Sequence, residues 1–144
     1  MTNATAFKFG YPRTRVAETD HWLVLARPQQ PTYGALVLVC KEDATAFSDL
    51  SAAAFADMKR AVDGIEALLR HTVAFERINY LMLMMVDPDV HFHVLPRYQG
   101  ERIYKGRPFV DAGWPGPPAL ASHVALSEDE AAALAAEFSA LWRS

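Results

Sequence analysis

From Asp89 to Val94 the chain alternates polar and apolar residues one by one, as Asp89-Val90-His91-Phe92-His93-Val94, and then runs on through Leu95-Pro96-Arg97. A period of two belongs to a strand with two unlike faces, and a helix cannot accommodate it. Asp89, His91 and His93 are therefore expected on one face, with neighbours about 7 Å apart along the strand. Val90, Phe92 and Val94 are expected to pack into a core on the other. Two imidazoles and a carboxylate in a row are costly to bury and do no packing that apolar residues would not do better. The bland alternative is a solvated outer face with incidental histidines. A lone histidine is read that way; two at alternate positions beside a carboxylate favour chemistry.

The rest of the chain supplies a sheet for that strand. Phe7-Lys8-Phe9 alternates briefly before Gly10 and Pro12 and reads as a short strand or irregular arm. Residues 15–18 and 22–26 read as two strands around a Thr19-Asp20-His21 turn. Arg27-Pro28-Gln29-Gln30-Pro31-Thr32-Tyr33-Gly34 cannot be regular, because its prolines restrict the backbone. The apolar run 35–40 suits a central strand. From Ser51 to His71, Phe55, Met58, Val62, Ile65 and Leu69 recur at helical spacing. Residues 78–86 and 90–95 follow as strands, with Asp87-Pro88 as a turn. Strands, one long helix and strands again predict an α+β fold of about five antiparallel strands with that helix packed on the sheet.

Beyond Tyr98 the composition shifts. Residues 106–118 hold three glycines and four prolines and are expected to be irregular. Ser127-Glu128-Asp129-Glu130 reads as a capping box opening a last helix, with Leu134, Phe138, Leu141 and Trp142 on one stripe. Residues 1–105 are thus expected to form the main domain, and 106–144 an appended tail and helix. A formal net charge of −3 argues against a nucleic-acid binder. The single cysteine, Cys40, leaves no disulfide framework or cysteine-built zinc site. No apolar run reaches membrane-spanning length and no signal peptide is evident, so a soluble, cytoplasmic protein is expected.

Two chemistries compete for the histidine face. A neutral imidazole could attack an electrophilic phosphorus while the second imidazole holds phosphate oxygens. Alternatively, two histidines and a carboxylate could ligate a metal such as iron or zinc. Spacing alone does not separate them.

Asp89 to Arg97 resembles the signature of the histidine-triad (HIT) family, in which three histidines alternate with apolar residues ahead of a Val-Leu-Pro-Arg-like stretch. Leu23-Val24-Leu25, the proline-containing turn, Gly34 and Leu36-Val37-Leu38-Val39 resemble the family's nucleotide-binding strand–turn–strand. The likeness spans about Phe7 to Tyr98. It implies a HIT-like fold, with His91 as the nucleophile that forms a nucleotidyl-histidine intermediate and His93 contacting the phosphate. It further implies attack at the α-phosphorus of a nucleotide conjugate, release of a nucleoside monophosphate, no required metal or cofactor, and a homodimer.

The sequence departs from the family at Asp89, which stands at the first triad position, where it could orient His91. Arg27 sits where many members place a ribose-holding asparagine, and Leu83 to Pro88 replaces a glycine-rich loop. Arg27, Asn79 and Arg97 are the candidate nucleotide- or phosphate-binding residues, and Asp89, His91 and His93 the catalytic ones. The activity expected is that of a phosphoramidase or dinucleoside polyphosphate hydrolase. A non-catalytic nucleotide-binding protein with an eroded triad is the alternative. Phe109, Trp114 and the last helix's stripe need an apolar partner, in their own core or in a second subunit.

Overall fold

The computed structural model describes residues 3–143. Three helices, α1 (Ala4–Lys8), α2 (Ala52–Thr72) and α3 (Glu128–Leu141), accompany nine strands. The strands are β1 (Arg15–Glu18), β2 (Trp22–Ala26), β3 (Gln29–Gln30), β4 (Leu36–Cys40), β5 (Arg77–Leu81), β6 (His91–Arg97), β7 (Glu101–Tyr104), β8 (Arg107–Val110) and β9 (Val124–Ala125). Five form one antiparallel sheet in the order β1-β2-β4-β6-β5. The α+β architecture read from the sequence is the one found.

Every residue of β2 and β4 is buried, so the sheet is covered on both sides. Alternation sorts their side chains. Trp22, Val24, Leu36, Leu38 and Val94 share one core with Ala54, Ala61, Ile65, Leu68 and Leu69 of α2. Leu23, Leu25, Val37 and Val39 face the other way and pack with Ala6, Phe9 and Tyr11. Full burial of each such aliphatic side chain is worth about 1.5–3 kcal/mol, so neither face could be left to solvent cheaply.

The segment before β1 is therefore a cover, and the expected strand at Phe7–Phe9 is instead the end of α1. Asn3 starts this helix, its Oδ1 accepting from Ala6 N at 3.0 Å while its Nδ2 donates to Cys40 O at 3.0 Å. That side chain both caps α1 and fastens it to the end of β4.

Ser51 caps α2, accepting from Ala54 N. Its inner line is small residues, Ala54, Ala61 and Gly64, beside Ile65, Leu68 and Leu69. The expected stripe is rotated: Phe55 is 41% exposed, and Met58 and Val62 are only partly buried. Small residues win the inner line because they let the helix approach the sheet. At Gly64 the close neighbour is instead the C-terminal segment: an added Cβ would lie 2.1 Å from the Trp142 ring.

Three further expectations change. The strand expected over 78–86 stops at Leu81, since Met84 has φ 48° and breaks the extended backbone. Gln29–Gln30 is a short strand paired with β9. The stretch from Gly106 is regular at first: β7 and β8 form a hairpin with Tyr104 opposite Arg107. Lys105 (φ 51°) and Gly106 (φ 75°) give the two positive φ values that a tight hairpin turn requires.

The tail joins the main core. Phe109, Leu134, Ala135 and Phe138 are buried with the sheet's residues, so the last helix finds its apolar partner in its own chain. Leu141 stays 40% exposed and Trp142 lies beyond the helix. The capping box at Ser127 is present in full, with Glu130 N donating to Ser127 Oγ and Ser127 N to Glu130 Oε1. α3 packs on β1 and β2, on the face of the sheet that also carries α2. No helix among the described residues is long and apolar enough to cross a membrane.

Candidate active site

β6 lies between β4 and β5, with His91 opposite Val39 and His93 opposite Val37. The two imidazoles project to the face covered by the N-terminal segment, their centroids 5.1 Å apart and their planes at 83°. Phe9 stands over both, 6.2 Å from His91 and 5.6 Å from His93. His91 is 1% exposed and His93 8%.

Their hydrogen bonds fix opposite tautomers. His91 Nδ1 lies 2.6 Å from the carbonyl oxygen of Asp89. A carbonyl only accepts, so Nδ1 carries the proton and the neutral ring keeps a lone pair on Nε2. His93 Nδ1 lies 3.4 Å from Arg27 Nε. A guanidinium only donates, so this Nδ1 is bare and the proton sits on Nε2. One ring offers a nucleophile and the other a donor.

Burial, reinforced by the neighbouring Arg27, His91 and Lys8 and only partly opposed by Asp87, pushes the His93 pKa down to about 4. His93 is thus uncharged at neutral pH. A cavity of about 200 Å³ beside these groups is lined by Lys8, Phe9, Arg27, Pro28 and Gln29. Lys8 is paired with Asp87 at 2.9 Å, whereas Arg27 has no carboxylate partner among the described residues and gives Nη1 to Gln29 O at 2.7 Å.

The Asp89 side chain does not join the histidines. β6 begins at His91, so the alternation read from the sequence stops short of residue 89. The carboxylate turns to α1, taking hydrogen bonds from Thr5 Oγ1 at 2.9 Å and Thr5 N at 3.3 Å. The orienting role expected of its carboxylate falls to its backbone carbonyl. With it goes the two-histidine, one-carboxylate metal site: among the described residues no group of three His, Cys, Asp or Glu could hold an ion.

Arg97 and Asn79 are also engaged elsewhere. Arg97 is buried and pairs with Asp111 through Nε at 2.7 Å and Nη2 at 3.0 Å. Nη1 donates to Asn79 Oδ1 at 2.8 Å and Nη2 also to Gly116 O at 2.9 Å. These two hold the tail to the sheet, in place of the phosphate contacts expected of them. Arg27 alone of the three reaches the histidines. The residues missed were Lys8, Phe9 and Thr5, all in the N-terminal segment. Their available signal was Asn3, a capping residue ahead of Ala-Thr-Ala.

A family profile described as the HIT domain matches residues 9–100. Among solved structures, a histidine triad protein from Sinorhizobium meliloti aligns with 19% identity and TM-score 0.72, over 96% of this chain and 93% of its own. One from Bradyrhizobium japonicum aligns with 20% identity and TM-score 0.67, over 86% of each chain. Diadenosine triphosphate hydrolase from Plasmodium falciparum aligns with 12% identity and TM-score 0.66, over 90% of this chain and 76% of its own. No curated protein sequence matches the chain.

Proposed function

Because the chain belongs to the HIT domain family, we propose that it hydrolyses nucleotide conjugates, or transfers their nucleotidyl group, at the α-phosphorus. The observation that carries this reading is the pair of contacts at the two Nδ1 atoms, Asp89 O at 2.6 Å from His91 and Arg27 Nε at 3.4 Å from His93, which imply a bare Nε2 on His91 and a protonated one on His93. His91 Nε2 attacks phosphorus, its Nδ1–H bond to Asp89 O strengthening as the ring becomes cationic. The bond to the leaving group breaks and its electron pair departs with that group. His93 Nε2–H donates to a phosphate oxygen in the transition state. Water then displaces the imidazole, which leaves as the neutral ring; the proton lost by the water passes to solvent, solvent protonates the departed group, and a nucleoside monophosphate leaves. A phosphoramidate or a dinucleoside polyphosphate is the substrate type; the hydrolase from P. falciparum with the same fold acts on diadenosine triphosphate. We assign the protein to the cytoplasm.

Phe9 nearly closes the face, so its ring moves aside when a nucleotide enters. The decisive experiment compares wild type with His91→Asn on both substrate types. Release of nucleoside monophosphate is expected to fall at least a thousandfold with the fold intact. Activity that survives the substitution refutes the covalent route. Binding of a nucleoside monophosphate with no turnover by wild type would favour the non-catalytic alternative.

We further propose a homodimer built on β5. β5 is an edge strand of the five-stranded sheet and is partly exposed along its length. Beside it, Leu38, Met58, Val62, Tyr80 and Phe92 line an apolar hollow of about 170 Å³, and exposed Phe47 and Phe55 pack against each other nearby at a tilt. A long free edge next to an apolar face invites pairing, which a two-fold partner satisfies. A monomer in small-angle scattering at micromolar concentration would refute it.

A further inference from the structure

Arg27 is half-buried beside His93 and has no acidic partner among the described residues. Burial lowers its pKa somewhat, but a guanidinium keeps its charge, so the cost of holding it there is borne without a compensating carboxylate. Its contacts are few: Nη1 on Gln29 O and Nε on His93 Nδ1. The second contact matters because the imidazole has a choice that the guanidinium lacks. Free imidazole exchanges its proton between two nitrogens and accepts a second proton near neutral pH. With an Arg N–H directed at Nδ1, a proton on that nitrogen would face a donor.

We propose that Arg27 is a positioning residue that acts through His93, holding its imidazole neutral with the proton on Nε2 so that it can only donate to the reacting phosphate. The role rests on the proposed attack by His91. It does not make His93 a general base or acid.

The charged and titratable groups around His93 come from four elements. Arg27 follows β2, His91 shares β6, Lys8 ends α1, and Asp87 belongs to the loop before β6. Lys8 and Asp87 are paired with each other, with both carboxylate oxygens 2.9 Å from Lys8 Nζ, and largely cancel. Arg27 is therefore the nearby charge without a counter-charge. The alternative, that Arg27 acts on the substrate directly, makes a different prediction for paired substitutions.

The experiment uses the full chain with ¹⁵N-labelled histidine and reads the two ring nitrogens by long-range proton–nitrogen correlation across pH. In wild type, His93 is expected to show a bare Nδ1 and a protonated Nε2 from pH 8 down to pH 5. In Arg27→Met, which keeps length but removes donor and charge, the two tautomers should mix and protonation should begin at least one pH unit higher. His21, His71 and His123 report whether the fold is intact. Arg27→Lys should retain much of the wild-type pattern. A protonated Nδ1 in wild type, or unchanged behaviour in Arg27→Met, overturns the proposal. These spectra test the role of Arg27 independently of any nucleotide turnover.

Kinetics then separate the two roles for Arg27. Arg27→Met should lower kcat about tenfold in the wild-type background, yet less than twofold in a His93→Asn background. An equal loss in both backgrounds would show that Arg27 contacts substrate independently, and would overturn the proposal.

Discussion

Removing the Asp111 carboxylate should damage stability far more than catalysis. In Asp111→Ala, Arg97 loses the bonds from Nε at 2.7 Å and Nη2 at 3.0 Å, and Tyr98 N–H loses its acceptor at 3.2 Å. The side chains of Arg97 and Asp111 are only 4% and 1% exposed, so water cannot replace the lost partner. Stripping one member from a buried ion pair costs about 3–5 kcal/mol. Asn79 Oδ1 and Gly116 O remain on the guanidinium, which argues for the lower half of that range. Against a typical stability of about 5–15 kcal/mol the loss is large. For a chain this size it corresponds to a fall in Tm of roughly 10 °C. Urea titration and thermal melting by circular dichroism measure it. A companion variant, Arg97→Met with Asp111→Leu, should recover most of the stability, because an apolar pair leaves no buried charge unmatched. A loss below about 1 kcal/mol in Asp111→Ala would refute the reasoning. A melt near wild type combined with a large rise in KM would restore Arg97 to the phosphate site.

Three further outcomes follow from the described geometry. His93 has a native pKa below its unfolded value of about 6.5, so its contribution is complete above pH 6.5 and is lost as pH falls toward about 4; the decline in urea midpoint over that window should be shallower in His93→Asn, and an equal slope would contradict it. Gly34→Ala combines φ +91° with a Cβ 2.7 Å from Val73 Cγ2, and should cost about 1–3 kcal/mol in equilibrium denaturation; a neutral effect would mean that the β3–β4 connection yields easily. Phe9→Ala uncovers both imidazoles and should raise the rate at which diethyl pyrocarbonate modifies His91 and His93, read by mass spectrometry; an unchanged rate would deny Phe9 its covering role.

The strands whose both faces are buried were the easiest to read, since Trp22–Ala26 and Leu36–Cys40 are continuous apolar runs with few alternatives. The paired histidines were legible for a related reason: alternation assigns His91 and His93 to one face wherever β6 lies. Asp89 was misassigned because the extension of alternation past a strand's end depends on where the backbone turns. That turn is set by Thr5, 84 residues earlier in the chain. Arg97 and Asn79 were likewise plausible phosphate ligands until Asp111 was brought to them by the β7–β8 hairpin. The turn itself was written as Lys105-Gly106, but the prolines around it masked the signal. Phe7–Phe9 misled because three alternating residues carry too little periodicity to outweigh the capping asparagine at position 3.

The covering of β1 by α3 also has a temporal side. β1 comprises residues 15–18, and the helix that packs on it spans residues 128–141, so during synthesis this apolar face is made early and its cover almost last. Through most of translation Val16, Trp22 and Val24 therefore lack the apolar cover that Leu134, Ala135 and Phe138 supply, and exposed apolar surface of this kind promotes aggregation. A ribosome that stalls within residues 101–127 would hold the protein in that state. Stalled chains ending before α3 should therefore engage chaperones or aggregate, and those that include it should not. The last helix would then govern the yield of folded protein in the cell, while the site chemistry resides on strands completed before the helix emerges.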